Sequence, residues 1–291
     1  MPTTFSPICI ATIAELRSYL AAARNEGRTV GFVPTMGALH EGHLSLIRKA
    51  RAENDCVVVS IFINPMQFAP NEDIQKYPRD LNRDLQACSN VNTDVVFAPS
   101  LEEMYPAPLD TKVKAGKLAK TLCGVSRPTH FDGVVTVLVK LFSIVGECST
   151  YLGRKDFQQL VIARRLVDDL SLPVRIVGCP IVRETDGLAM SSRNVYLDAA
   201  ERSQAPMLHQ ALETGISCMR AGEKDPAAVR AVMRETIMKA PSAEIDYAEV
   251  VSAVDLSIPK PLNGEIRLLV AVRFGETRLI DNAGYVIPDR P

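Results

Sequence analysis

Gly31-Phe32-Val33-Pro34-Thr35-Met36-Gly37-Ala38-Leu39-His40-Glu41-Gly42-His43 is the stretch that decides the fold. An apolar run ends in Pro-Thr-Met-Gly, a small-residue turn follows, and an apolar-periodic stretch begins at Leu44. The pattern reads as strand, tight turn and helix, with both histidines at the helix start. A helix N-terminus offers unpaired backbone N–H groups and the positive end of the helix dipole, so it attracts phosphate. Glycine lets the backbone come close to a ligand. Two imidazoles at such a place can donate hydrogen bonds to charge developing on a phosphate. The same pair could instead be half of a metal site or two surface histidines. A zinc site would want Cys, His or carboxylate partners at ligand spacing, and the seven cysteines form no C-x-x-C.

Working outward, short apolar runs alternate with longer amphipathic ones. Strands are expected at 29–34, 56–63, 93–98, 149–152 and 174–177, and helices at 44–53, 80–89, 134–145 and 156–170. Alternation of this kind implies right-handed crossovers and a Rossmann-like, doubly wound parallel sheet. Ligands of such sheets bind beyond the carboxyl ends of the strands, which is where His40 and His43 fall. After about residue 180 the pattern changes to helices at 201–221 and 226–239. Alternating strands follow at 245–251, 265–274 and 277–281, with Gly275-Glu276 as a hairpin turn. The expected organisation is a domain over 1–180 and a smaller C-terminal α+β domain over 181–291.

Composition narrows the classes. A chain of 291 residues with net charge −1 gives no electrostatic reason to expect nucleic acid or an anionic membrane as partner. Its longest apolar runs are too short to span a bilayer, and no basic segment leads into an apolar core, so no signal peptide is expected. Cysteines odd in number and scattered suit reduced thiols in the cytoplasm.

Four more clusters fall in loops or after strands. In Asn64-Pro65-Met66-Gln67-Phe68 the amides can bind hydroxyls and carboxylates without adding charge, although Asn-Pro is also a common turn starter. Arg127-Pro128-Thr129-His130-Phe131-Asp132-Gly133 leads into an apolar helix and is a weak signal by itself. Gly153-Arg154-Lys155-Asp156-Phe157-Gln158-Gln159 puts a lysine at a strand-to-helix turn, where it can reach phosphate oxygens or simply be solvated. Gln159 lies one turn further on. Asp186-Gly187-Leu188-Ala189-Met190-Ser191-Ser192-Arg193-Asn194 groups two hydroxyls and an Arg, either an anion-binding loop or an interdomain linker.

A His-x-x-His loop after a strand with a late Met-Ser-Ser-Arg loop is similar to the nucleotidylyltransferase superfamily and the class I aminoacyl-tRNA synthetases. More closely, PTMGALHEGH, VSIFINPMQF, RPTHFDGV, GRKDFQQL and DGLAMSSRN, in this order between about residues 8 and 285, resemble the pantoate–β-alanine ligase family. The resemblance implies ATP-dependent condensation of pantoate with β-alanine through a pantoyl-adenylate, with Mg²⁺, in a homodimer formed by the N-terminal domain. By position it implies that Met36, Gly37, Ala38, Leu39, His40, Glu41, Gly42 and His43 form the ATP loop, with His43 as proton donor and His40 on the phosphates. Gly153, Arg154, Lys155 and Asp156 would contact ATP, with Lys155 on its phosphates. Val182 would pack at the adenine, and Met190, Ser191, Ser192 and Arg193 would grip the triphosphate. Gln67 and Gln159 would bind pantoate, Gln67 also lying near the β-alanine site, with Asn64 nearby and Asp84 neighbouring the metal. Two positions depart from the family pattern. Cys123 stands where many relatives carry Glu, and Arg154 stands where they often carry Glu. A cytidylyl- or adenylyltransferase would share the His-x-x-His loop but have less use for Asn64 and Gln67. A non-enzymatic nucleotide-sensing module would not need Lys155 and Arg193.

Overall fold

Six short runs rich in β-branched residues become one parallel sheet. The structure, a computed structural model, describes residues 6–70, 72–107 and 109–288. In chain order the first elements are β1 (Ile8–Ile10), α1 (Ile13–Asn25), β2 (Val30–Thr35), α2 (Glu41–Glu53), β3 (Cys56–Ile61), α3 (Leu81–Ser89) and β4 (Val95–Phe97). Then come the short α4 (Leu101–Met104) and α5 (Cys123–Ser126), followed by α6 (His130–Val145), β5 (Cys148–Gly153), α7 (Phe157–Asp169) and β6 (Val174–Cys179). The strand order is β1-β4-β3-β2-β5-β6, with every pairing parallel. The Rossmann-like expectation therefore holds. The chain direction of the windings reverses between β2 and β5, which makes the carboxyl ends of these two strands the switch point where such sheets bind ligands.

Both faces of the sheet are covered, which is why its strands read as continuous apolar runs. Val33, Val59 and Val96 sit in register across β2, β3 and β4 and pack with Leu46, Ile47 and Ala50 of α2 and Cys88 of α3. The alternate residues Phe32, Val58, Val95 and Phe97 are all fully buried on the opposite face. The sequence reading left out β1 and α1. A three-residue edge strand is too short for a periodicity, but α1 carried a signal: Thr12 Oγ1 accepts the Glu15 N–H and donates to the Glu15 carboxylate, the Thr-x-x-Glu start of a helix.

The chain divides into two compact units. One holds the described residues up to Gly116 with Arg127–Arg154 and Ile162–Pro180, the other Lys117–Ser126, Lys155–Val161 and the described residues from Ile181 on. The second unit contains α8 (Ala199–Gln204), α9 (Met207–Arg220), α10 (Pro226–Ile237), β7 (Ala243–Ser252), β8 (Glu265–Phe274) and β9 (Thr277–Val286). Its strands form an antiparallel sheet in sequence order, and Phe274 pairs with Thr277 across the expected Gly275-Glu276 turn. Leu208 and Leu212 of α9, Met233 of α10 and Ile266, Leu268 and Val270 of β8 share one core. The helix expected over 201–221 is two helices. Pro206 lacks an N–H and its ring opposes the carbonyl four residues back, so α8 stops and α9 restarts. Among the described residues no helix is long and apolar enough to cross a membrane.

Phe32 anchors the central strand. Phe32→Ala should lower the free energy of unfolding by about 3–5 kcal/mol, read from the midpoint of a urea titration at unchanged slope.

Candidate active site

The turn after β2 is wound left-handed. Gly37 has φ 81° and Ala38 φ 51°. A Cβ on residue 37 would lie 2.9 Å from Asp84 Oδ2 and 3.1 Å from Ile61 Cγ2, so glycine is required there for space as well as conformation. Ala38 has no such licence, and its strained backbone is held from outside. Asp84 of α3 does this: Oδ2 accepts the Ala38 N–H at 2.9 Å and Oδ1 the Leu39 N–H at 2.8 Å. Thr35 Oγ1 accepts the Gly37 N–H at 3.1 Å and donates to Ser60 O at 2.7 Å. Asp84 is buried, and burial pushes its carboxyl above the usual carboxylate range, an effect partly offset by the two N–H groups.

The expectation of unpaired N–H groups is therefore not met at residues 37, 38 and 39. Nor is it met at Gly42 and His43 of α2. Gly42 N–H bonds to His40 Nδ1 at 3.1 Å, and His43 N–H bonds to the His40 carbonyl at 2.8 Å. His40 is the N-cap of α2, and its own N–H bonds to His43 Nδ1 at 3.4 Å. Each ring thus uses Nδ1 as an acceptor, which in the neutral imidazole leaves the proton on Nε2. The ring centroids are 4.1 Å apart. The turn presents two matched imidazoles rather than a row of backbone donors. Glu41 is exposed and pairs with Arg48.

The loop after β3 brings Gln67 to this turn. Gln67 Nε2 lies 3.3 Å from Met36 Sδ, and Gln67 Oε1 accepts from Asn64 Nδ2 at 3.0 Å. Asn64 is 1% exposed and committed on both sides: Nδ2 also donates to Gly133 O at 3.1 Å, and Oδ1 accepts from Tyr105 Oη at 2.9 Å. Burial pushes the Tyr105 hydroxyl up, which keeps it a donor. Asn64 accordingly orients Gln67. The 127–133 segment, weak in sequence, supports the same loop. Arg127 Nη2 donates to Gln67 O at 3.2 Å, His130 Nδ1 lies 2.9 Å from that oxygen, and Arg127 pairs with Glu72. Burial raises the Glu72 carboxyl, but the Arg127 guanidinium together with the Ala69 N–H and His130 outweighs it and holds the group below its usual range. A Cβ on Gly133 would lie 2.1 Å from Met66 O, so α6 meets this loop backbone to backbone.

Gly153 ends β5, and Arg154, Lys155 and Asp156 form a 3₁₀ turn before α7. In the second unit, Lys155 is half-buried, and its ammonium makes no hydrogen bond or ion pair among the described residues. Gln158 and Gln159 differ. Gln158 is buried and bonds to Leu118 O, Thr121 O and the Cys123 N–H, whereas Gln159 is half-buried and makes no side-chain hydrogen bond among the described residues. The 182–194 segment is a bonded hairpin rather than a slack linker. Met190 N–H bonds to Val182 O at 3.0 Å, Glu184 N–H to Leu188 O at 2.8 Å, and Arg183 bridges to Ala189. Arg202 of α8 holds it through Glu184 at 2.7 Å and Asp186 at 2.6 Å, and this pairing keeps the Asp186 carboxyl low. Ser191 Oγ accepts the Arg193 N–H at 3.2 Å, which caps the turn carrying Ser192 and Arg193. Cys123 Sγ lies 3.2 Å from Tyr247 Oη and 3.5 Å from Arg278 Nη2, and Asp246 takes the Arg278 charge at 2.6 Å.

These units thus assemble Met36 to His43 with Asn64, Gln67 and Asp84 in the first, and Lys155, Gln159 and Val182 to Arg193 in the second. The class is a Rossmann-like α/β protein whose β2-to-α2 turn carries paired imidazoles. The chain belongs to the pantoate–β-alanine ligase family, whose model matches residues 8–284. It is 50% identical over 281 residues to the pantothenate synthetase of Geobacillus kaustophilus, covering 97% of this chain and 94% of that one. Identity to the Thermotoga neapolitana enzyme is 50% over 273 residues, 94% of this chain and 98% of the other. The crystal structure of pantothenate synthetase from Thermus thermophilus matches with a TM-score of 0.90 at 44% identity, covering 95% of this chain and 98% of that chain. Pantoate–β-alanine ligase from Francisella tularensis, crystallised with β-γ ATP and β-alanine, matches with a TM-score of 0.77 at 35% identity, covering 96% and 97%.

Asp84→Asn turns one of the two acceptors into a donor facing an N–H. Hydrogen bonds to a charged group are worth about 1.5–3 kcal/mol, and a reacting group displaced by an ångström can cost about 10²-fold in rate. We expect pyrophosphate release from ATP and pantoate to fall by about that factor in the variant. The folded-state pKa of Asp84 is raised, so its contribution to stability is full below the unfolded carboxylate range and is lost as pH rises through the folded value. Urea titrations across that window should show the dependence in the parent protein and its loss in Asp84→Asn.

Proposed function

We propose that this protein is an ATP-dependent ligase that condenses (R)-pantoate with β-alanine through a pantoyl-adenylate, giving pantothenate, AMP and pyrophosphate. The family match supports the reaction class, and the β-γ ATP and β-alanine bound to the Francisella tularensis relative support the two ligands. The observation that carries the reading is the imidazole pair with both Nδ1 atoms committed to backbone N–H groups. Fixed this way, each neutral ring carries its proton on Nε2, the nitrogen to which we assign donation to phosphate oxygens, His43 at the reacting phosphate and His40 beside it. One preorganised donor of this kind is worth about 2.7–4 kcal/mol in the transition state.

A pantoate carboxylate oxygen attacks the α-phosphorus, the bond to the bridging oxygen breaks, and pyrophosphate leaves. The neutral amine of β-alanine then attacks the acyl carbon. The amide forms, the amine loses its proton, and AMP leaves. No covalent enzyme nucleophile is needed, and the cysteines, all free, have no part in it. Because Gln67 Oε1 is occupied by Asn64, Gln67 offers its amide N–H₂, an end that reads acceptors such as pantoate oxygens. Gln159 serves the same substrate. Neutral amides orient the carboxylate without quenching its nucleophilicity, at about 0.5–1.5 kcal/mol each. Lys155, Ser191, Ser192 and Arg193 bind the phosphates, Gly153, Arg154 and Asp156 contact ATP, and Val182 packs at the adenine.

Magnesium enters this reading as part of the substrate, MgATP. Among the described residues no group of three or more His, Cys, Asp or Glu could hold a metal, and both Asp84 oxygens already serve the turn. Mg²⁺ commonly rides on substrate phosphates with few protein ligands. Asp84 acts on the site by anchoring the loop. A cytoplasmic location fits the seven free thiols, and a homodimer follows the family.

Supplied with ATP, pantoate and β-alanine, the protein should form AMP and pyrophosphate and no ADP. ADP as the product would overturn the adenylate. His43→Ala should lower single-turnover adenylate formation by about 10²-fold or more while the melting temperature holds. An unchanged rate would remove the role of His43. In calorimetric titrations, Gln159→Ala should weaken pantoate binding and leave the binding of ATP alone unchanged. The reverse pattern would move Gln159 out of the pantoate pocket.

A further inference from the structure

Lys155 has a long flexible side chain whose ammonium has no partner among the described residues, so its place is set through its backbone. That backbone is held from β9. Asn282, 1% exposed, donates from Nδ2 to the Lys155 carbonyl at 2.8 Å. Its neighbour Asp281, 2% exposed, takes Arg183 in a two-point ion pair at 2.6 and 3.0 Å. Arg183 in turn donates to Gly187 O at 3.0 Å and to the Asn282 carbonyl at 3.4 Å. One strand therefore grips both segments of the second unit to which phosphate contacts are assigned: the Lys155 turn through Asn282, and the hairpin that leads to Ser191, Ser192 and Arg193 through Asp281. A second strand adds to the hold. The guanidinium of Arg267 on β8 lies 4.2 Å over the ring of Phe157, two residues after Lys155.

Buried amides and carboxylates on a sheet are costly unless fully paired, and an apolar residue would serve mere packing as well or better. We propose that Asp281 and Asn282 are positioning residues for adenylation, fixing the distance between the Lys155 ammonium and the Ser191–Arg193 turn. They touch no substrate. The inference rests on the phosphate role given above to Lys155, and the experiment separates the two.

The full-length protein is assayed in two halves: pyrophosphate release from ATP and pantoate, and pantothenate formation from preformed pantoyl-adenylate and β-alanine. Asn282→Ala should lower the first about 10- to 10²-fold, partly as a raised KM for ATP, and leave the second within about twofold. Asn282→Asp keeps the size but sets an oxygen against the Lys155 carbonyl, and should do at least as much harm even if the alanine variant folds poorly. In a Lys155→Ala background, Asn282→Ala should lower adenylation no further, since positioning an absent ammonium has no effect. Additive losses, equal losses in both halves, or an unchanged adenylation rate would overturn the inference. If Lys155→Ala itself leaves adenylation intact, the phosphate role of Lys155 falls first and the positioning role with it.

Discussion

The turn after β2 is organised around one carboxylate. Asp84 holds two successive N–H groups of a left-handed turn that Ala38 would not adopt alone. Once that turn is fixed, His40 arrives as the N-cap of α2 and His43 sits one turn on, each with its Nδ1 on a backbone N–H. The helix start itself gives each imidazole a backbone N–H at Nδ1. The arrangement trades stability for geometry. A buried carboxylate is an expensive anchor, and here it holds the strained backbone of Ala38 in place.

A second device fixes the uncharged side of the site. Asn64, buried and with both ends engaged, decides which end of the Gln67 amide is turned outward. Tyr105 and the Gly133 carbonyl engage the two ends of Asn64, while Arg127 and His130 meet the backbone carbonyl of Gln67. On the proposed reading, the specificity of this pocket lies in hydrogen-bond polarity, because a misoriented amide would present an acceptor to the pantoate carboxylate.

Much of this was legible in the chain. The alternation of apolar runs gave the parallel sheet, and the two histidines marked its switch point, since strand-end turns and helix caps are local signals. The five motifs singled out Gln67, Lys155, Gln159 and the 186–194 loop as candidates. Other features were not legible because their causes are distant in sequence. That Asp84 binds residues 38 and 39 depends on the placing of α3 beside α2. That Asn64 is an orienting residue depends on Tyr105 and Gly133. The missed α1 is a different case, since Thr12 and Glu15 had announced it. So is the split between α8 and α9, which Pro206 declared in the sequence. Cys123, flagged only as a departure, proves to face Tyr247 and Arg278, contacts made with residues more than a hundred positions away.

The sheet order carries a kinetic corollary. β2 bonds to β3 on one side, a partner that follows it directly, but on the other side Gly31 and Phe32 pair with Ser149 and Thr150 of β5. The first contact closes a short loop. The second must wait for more than a hundred intervening residues to be gathered, and parallel pairings at such separation are slow to form. The switch point at the carboxyl ends of β2 and β5 is thus among the last features of the sheet to appear. A chain that is already collapsed and rich in helix still lacks it, so binding competence should lag behind secondary structure during refolding.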